Sequence, residues 1–119
     1  MTKILFVQYP KCSTCQKAAK WLKDNDIEVV SRHIVEETPT EPELSEWIGR
    51  SKLPINKFFN TSGRVYKEQN IKEKVKTEST SDLIKLLANN GMLIKRPILV
   101  AKDFVLVGFN EEEWAGHLK

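Results

Sequence analysis

Cys12 and Cys15 are the only cysteines of the chain. They sit as Cys12-Ser13-Thr14-Cys15 between an apolar run, Ile4-Leu5-Phe6-Val7, and a helix-forming run, Gln16-Lys17-Ala18-Ala19-Lys20-Trp21-Leu22. A short buried strand must therefore stop, and a helix must start, across a C-x-x-C. A helix N-terminus carries free N–H donors and positive partial charge. A thiolate placed there is stabilised, so its pKa falls and it works as a nucleophile near neutral pH.

Three readings of the pair compete. Both cysteines could be small buried hydrophobes, and Cys15, on the apolar face of the helix, suits burial. A zinc site needs two further ligands, and only His33 and His117 remain, without ligand-like spacing. The redox reading asks for an exposed, electropositive first cysteine, which Cys12 supplies by following Lys11 and preceding the helix. A structural disulfide across so small a loop would remove little unfolded-chain entropy. The redox reading is favoured, with no metal, and His33 and His117 read as ordinary surface residues.

A length of 119 residues with 40% apolar side chains suits one domain, 1–119, with a single core. Charged residues reach 29% and are well mixed, which argues against disorder. The net charge of +3 comes without a basic stripe and argues against direct nucleic-acid binding. The densest positive stretch, Lys72-Glu73-Lys74-Val75-Lys76, reads as a solvated helix face. No run approaches the roughly 18 apolar residues of a membrane span. The N-terminus enters a strand almost at once, without a signal peptide's apolar core. The expectation is a cytoplasmic monomer, in a compartment where disulfides are usually catalytic or sensing.

Residues 3–8 read as a buried strand, broken by Tyr9-Pro10-Lys11. Ser13 and Gln16 fit a capping box, with Cys15, Ala18, Ala19 and Leu22 on one helical face. That helix should end near Asp24-Asn25-Asp26, and residues 27–34 read as a second strand. Thr40 and Glu43 fit another capping box, followed by Leu44, Trp47 and Ile48 and a stop at Gly49. Pro54 opens a short turn through Phe59, Asn60-Thr61-Ser62-Gly63 is a turn cluster, and residues 64–78 are weakly helical. A longer helix capped by Thr80 or Ser81 carries Leu83, Ile84, Leu86 and Leu87 inward and ends at Asn89-Asn90-Gly91. Two strands, Ile98–Ala101 and Phe104–Phe109, make a hairpin about Lys102-Asp103. Asn110 caps a closing helix whose first turn holds three glutamates, where the dipole favours them. The order is β-α-β, then helices over 36–90, then β-β-α, with core segments 1–35 and 91–119.

Outside the cysteines, Arg96-Pro97 stands at the entrance to a strand. Pro97 is either a proline tolerated at a strand start or part of a cis-proline loop packed beside the cysteines. Arg96 is either a solvated charge or a guanidinium for an oxyanion, a substrate carboxylate or the Cys12 thiolate. Arg64, after the turn cluster, is a further candidate anion ligand. The backbone N–H groups of Ser13, Thr14 and Cys15 would stabilise negative charge on sulfur or on a bound oxyanion.

Three segments, Tyr9-Pro10-Lys11-Cys12-Ser13-Thr14-Cys15-Gln16-Lys17-Ala18, Phe58-Phe59-Asn60-Thr61-Ser62-Gly63 and Leu93-Ile94-Lys95-Arg96-Pro97-Ile98-Leu99-Val100, together resemble the glutathione/glutaredoxin-coupled arsenate reductase family. That family includes the Spx-type redox-sensing transcription regulators. The resemblance covers essentially the whole chain. It implies an α/β thioredoxin-like fold with a helical insertion, Cys12 as nucleophile and Pro97 as cis. It implies no bound cofactor, with glutathione, glutaredoxin or thioredoxin as external reductant. For a regulator it implies the alpha subunit of RNA polymerase as partner. Arg96 falls on the family's Arg-Pro-Ile motif, while Gln16, Asn60 and Gly108 stand where the reductases carry arginines. An oxyanion site with one arginine loses most of its charge-assisted hydrogen bonds, each worth about 1.5–3 kcal/mol. Cys15 adds what the reductase pattern does not require, a thiol that resolves a mixed disulfide within the protein.

Overall fold

A computed structural model describes residues 4–119. The start of the predicted first strand, Lys3, lies outside them, as do the first two residues of the expected domain. Side-chain alternation along the strands assigns each a face. Strands β1 (Ile4–Gln8), β2 (Val29–His33), β3 (Ile98–Val100) and β4 (Val105–Val107) form one sheet in the order β2-β1-β3-β4. The β1–β2 pair is parallel, and β1–β3 and β3–β4 are antiparallel.

Phe6, Leu99 and Leu106 stand in register across three strands. They pack with Ala18 and Leu22 of α1 (Ser13–Asp24) and with Trp114 of α6 (Glu111–Leu118). Their chain neighbours Val7, Ile98, Val100 and Val105 belong to the opposite face and a second core cluster. There the cover comes from α2 (Glu41–Ser51), the 3-10 turn Ile55–Phe58, α4 (Ile71–Thr77) and α5 (Thr80–Asn89). A short helix, α3 (Arg64–Glu68), follows the turn cluster. The order is the one expected, with every regular element between β2 and β3 helical.

Local signals set the helix ends, with corrections. The Thr40–Glu43 capping box forms in both directions. The Ser13–Gln16 box does not: Cys12 is the N-cap, Ser13 is already helical, and Gln16 Nε2 donates to the Pro10 carbonyl at 2.9 Å. Gly49 lies inside α2, which runs on to Ser51 and stops at Lys52 with φ 61°. Ser79, one residue ahead of the two expected candidates, caps α5 by accepting from the Asp82 N–H. Asn110 caps α6 as expected. On α1, Ala19 is exposed, and on α5 Leu86 is only half-buried.

Arg32 on β2 and Glu43 on α2 form a two-pronged ion pair, Nη1–Oε2 2.6 Å and Nη2–Oε1 2.8 Å, fastening a helix of the insertion to the sheet edge. The Arg32 hydrogen bond, aided by the Thr40 N–H, holds the Glu43 carboxyl at about 2 against an ordinary 4.5. The folded value lies below the unfolded one, so this stabilisation is present above pH 4.5 and is lost as pH falls toward 2. Glu43→Gln is expected to cost about 1 kcal/mol near neutral pH and to flatten the fall in thermal midpoint between pH 5 and 2. Melting curves across that pH range check both.

Candidate functional site

The site is built where β1 hands over to α1. Tyr9-Pro10-Lys11 turns the chain, and the Cys12 N–H closes the turn on the Tyr9 carbonyl at 2.9 Å. Cys12 keeps extended backbone at the N-cap, and its carbonyl accepts from the Gln16 N–H at 3.0 Å. Its side chain thus stays at the mouth of the helix, half-buried. Cys15, a turn further on, points to the apolar side of α1 and is 1% exposed. Both thiols are free. The Tyr9 N–H donates to Cys15 Sγ at 3.5 Å.

Their environments push the two thiols apart. Partial burial acts to raise the Cys12 pKa. The Cys15 N–H and thiol, followed by the Arg96 guanidinium, outweigh it, and Cys12 falls below the ordinary thiol range. Burial dominates at Cys15; the Tyr9 N–H opposes it, and the Cys12 sulfur adds to it. That thiol is pushed up to about 12. Of the two, Cys12 is therefore the sulfur that ionises first as pH rises.

Arg96 reaches the cysteines from the other end of the chain. The Arg96–Pro97 bond is cis, and Pro97 is buried at the entrance to β3. The Pro97 carbonyl accepts from the Gly108 N–H at 2.8 Å. The Arg96 guanidinium lies over the Tyr9 ring, Cζ to centroid 5.1 Å. Its Nε and Nη1 are buried with no hydrogen-bond partner. Buried donors are nearly always paired, so such a group marks a place for an acceptor.

Asn60 and Gly108 are both tied to the segment around Arg96. The Asn60 N–H donates to the Leu93 carbonyl at 2.8 Å, and Lys95 donates back to Phe58 at 2.7 Å. Gly108 has φ 76°, and a Cβ there would sit 3.4 Å from Lys95 Cε. A side chain at 108 would thus need a strained backbone.

Ser13 and Thr14 are exposed first-turn residues of α1, where backbone N–H groups lack intrahelical partners. Arg64 is 88% exposed and pairs with Glu68 at 2.6 Å. His117 is exposed and stacks on Phe104. His33 departs from the expected surface residue. It is half-buried, meets Tyr9 edge-on with centroids 5.6 Å apart, and its Nδ1 accepts from the Val35 and Glu36 N–H groups. Tyr9 is the residue that sequence reasoning passed over, although an aromatic directly before Pro10-Lys11-Cys12 was its available signal. Among the described residues no group of three His, Cys, Asp or Glu side chains is placed to hold a metal ion, and no helix is long and apolar enough to cross a membrane.

A C-x-x-C at the head of α1, a cis-proline ahead of β3 and a four-stranded mixed sheet with helices on both faces define a thioredoxin-like protein with a helical insertion. The ArsC family model matches residues 7–116, and the chain belongs to that family. An uncharacterized Bacillus subtilis protein, YusI, is 45% identical over 93% of this chain and 94% of its own. Two regulators of that organism, Regulatory protein MgsR and Global transcriptional regulator Spx, are 31% and 28% identical. They align over 93% and 87% of this chain and 86% and 78% of their own. A crystal structure of an ArsC family related protein from Bacteroides fragilis is 56% identical, covers 96% of both chains and superposes with a TM-score of 0.93.

Proposed function

We propose that this protein is a thiol-dependent oxidoreductase in which Cys12 attacks and Cys15 resolves. The observation that carries this reading is the asymmetry of the pair: a half-exposed Cys12 with a lowered pKa beside a buried Cys15 held near 12. The Cys12 thiolate attacks one sulfur of a substrate disulfide and expels the other as a thiolate. The Cys15 thiol loses its proton to solvent as it attacks Cys12 Sγ. The second substrate thiolate leaves, and the protein keeps the Cys12–Cys15 disulfide. The substrate has gained two electrons and the protein has lost two. An external thiol (glutathione, glutaredoxin or thioredoxin) returns them. The N–H groups of Ser13, Thr14 and Cys15 favour negative charge on sulfur at the helix head.

Arg96, with two buried donors free, would receive an anionic group of the substrate. Gln16, Asn60 and Gly108 add no charge to it. Arg64 would help only by leaving Glu68. Arsenate reduction is therefore expected to run far behind disulfide reduction. A thiol-consumption assay with a model disulfide and with arsenate, coupled in turn to each reductant, tests this. No turnover of either substrate would sink the proposal.

Cys15→Ser is expected to stall the cycle at its first covalent stage. Intact-protein mass spectrometry after disulfide addition should show a mass gain equal to the bound half of the substrate less one hydrogen, where the unaltered protein shows only the loss of two hydrogens.

The relatives named as regulators favour a second reading, in which the same disulfide switches affinity for RNA polymerase, through the carboxy-terminal domain of its alpha chain. A pulldown with that domain under reducing and oxidising conditions tests it. Equal capture, or none, under both conditions removes the switch.

A further inference from the structure

Tyr9 touches Cys12, Cys15 and Arg96. Its carbonyl accepts from Cys12, its N–H donates to Cys15 Sγ, and its ring lies under the Arg96 guanidinium. The ring also meets His33 nearly perpendicular, at 89°. His33 is held by the two backbone N–H groups on its Nδ1, both at 3.1 Å. The chain of support runs from the turn after β2, through His33 and Tyr9, to Arg96 and Cys12. The Nε and Nη1 of Arg96 have no hydrogen-bond partner of their own.

We propose that Tyr9 is a positioning residue whose ring face holds the Arg96 guanidinium against Cys12. It rests on the reading of Cys12 as the attacking sulfur. An aromatic face attracts a guanidinium within about 6 Å, and more strongly where water is excluded. The phenol hydroxyl has no part in this, because the attraction comes from the ring quadrupole. The titratable or charged groups facing Cys12 are Cys15 and Arg96, with His33 one ring further away.

The test follows the rate of Cys12 alkylation against pH, with Cys12 identified by peptide mass mapping. It needs no substrate. Tyr9→Phe keeps the ring and is expected to keep the wild-type midpoint. Tyr9→Leu is expected to raise the midpoint by about half a pH unit, roughly a threefold slower reaction at a fixed pH below it. In an Arg96→Met background, Tyr9→Leu should change nothing further.

A Tyr9→Leu midpoint equal to wild type overturns the proposal, as does a shift that persists without Arg96. A wild-type midpoint at the ordinary thiol value, unmoved by Arg96→Met, overturns it together with the nucleophile reading. A low wild-type midpoint with an unmoved Tyr9→Leu removes Tyr9 alone. Where Tyr9→Leu fails to fold by circular dichroism, pentafluorophenylalanine at position 9 keeps the shape and reverses the ring quadrupole. Its midpoint should rise as well, and a wild-type value overturns the proposal.

Discussion

Cys12→Ser is expected to lower turnover of a model disulfide by about a thousandfold or more, because a serine hydroxyl neither ionises near neutral pH nor forms a disulfide. Loss of structure would not explain the result. Cys12 is the N-cap of α1 and has no side-chain capping bond, and serine is among the favoured residues there. The thermal midpoint should hold or rise slightly while activity disappears. Steady-state assay and melting curve together check the expectation. Activity within tenfold of the unaltered protein would show that Cys12 is not the attacking sulfur. Below the lowered Cys12 pKa the unaltered protein should also slow as pH falls, since the thiolate is the reacting form.

The largest stability effect is expected at the closing helix. Trp114 is fully buried and stands edge-on to Phe6, Trp21 and Phe109, with the Phe109 centroid 4.9 Å away. Its Nε1–H donates to the Gly108 carbonyl at 3.1 Å. Trp114→Ala removes the aromatic cluster's centre and leaves a cavity between sheet and helix, at a cost of about 3–5 kcal/mol. For a domain whose whole stability is about 5–15 kcal/mol, that is a large fraction. Urea titration should show a much lower midpoint with a similar slope. Trp114→Phe keeps most of the apolar contact and should cost less. The effect also reaches the site, because the Gly108 N–H on the same residue holds the Pro97 carbonyl. Cys12 alkylation in Trp114→Ala is therefore expected to lose part of its low-pH reactivity.

Much of the architecture was legible along the chain because its signals are local. The apolar run Ile4–Val7, the Thr40–Glu43 box and the Asn110 cap each operate within a few residues, and each formed. Helix stops were less legible. Gly49 reads as a terminator, yet α2 continues, since an exposed glycine is tolerated in a helix at a cost of about 1 kcal/mol. Gly91 reads as a terminator for a reason that is incomplete. A Cβ at Gly91 would come within 2.2 Å of the Ile34 carbonyl oxygen, a contact between segments far apart in sequence. The Tyr9–His33 and Tyr9–Arg96 contacts are illegible for the same reason, since each joins segments far apart in sequence.

The sequence alone determined the order of elements and the position of both thiols at a helix head, because periodicity, capping and a C-x-x-C act over one or two turns of chain. Helix spacing also turned Cys15 inward and left Cys12 outside, but only the tertiary structure decided what drives their pKa values apart. Burial of Cys15 raises its pKa, and Arg96, brought across the sheet onto the Tyr9 ring, helps to lower that of Cys12. Desolvation and charge proximity depend on which distant segments meet, and only packing sets that.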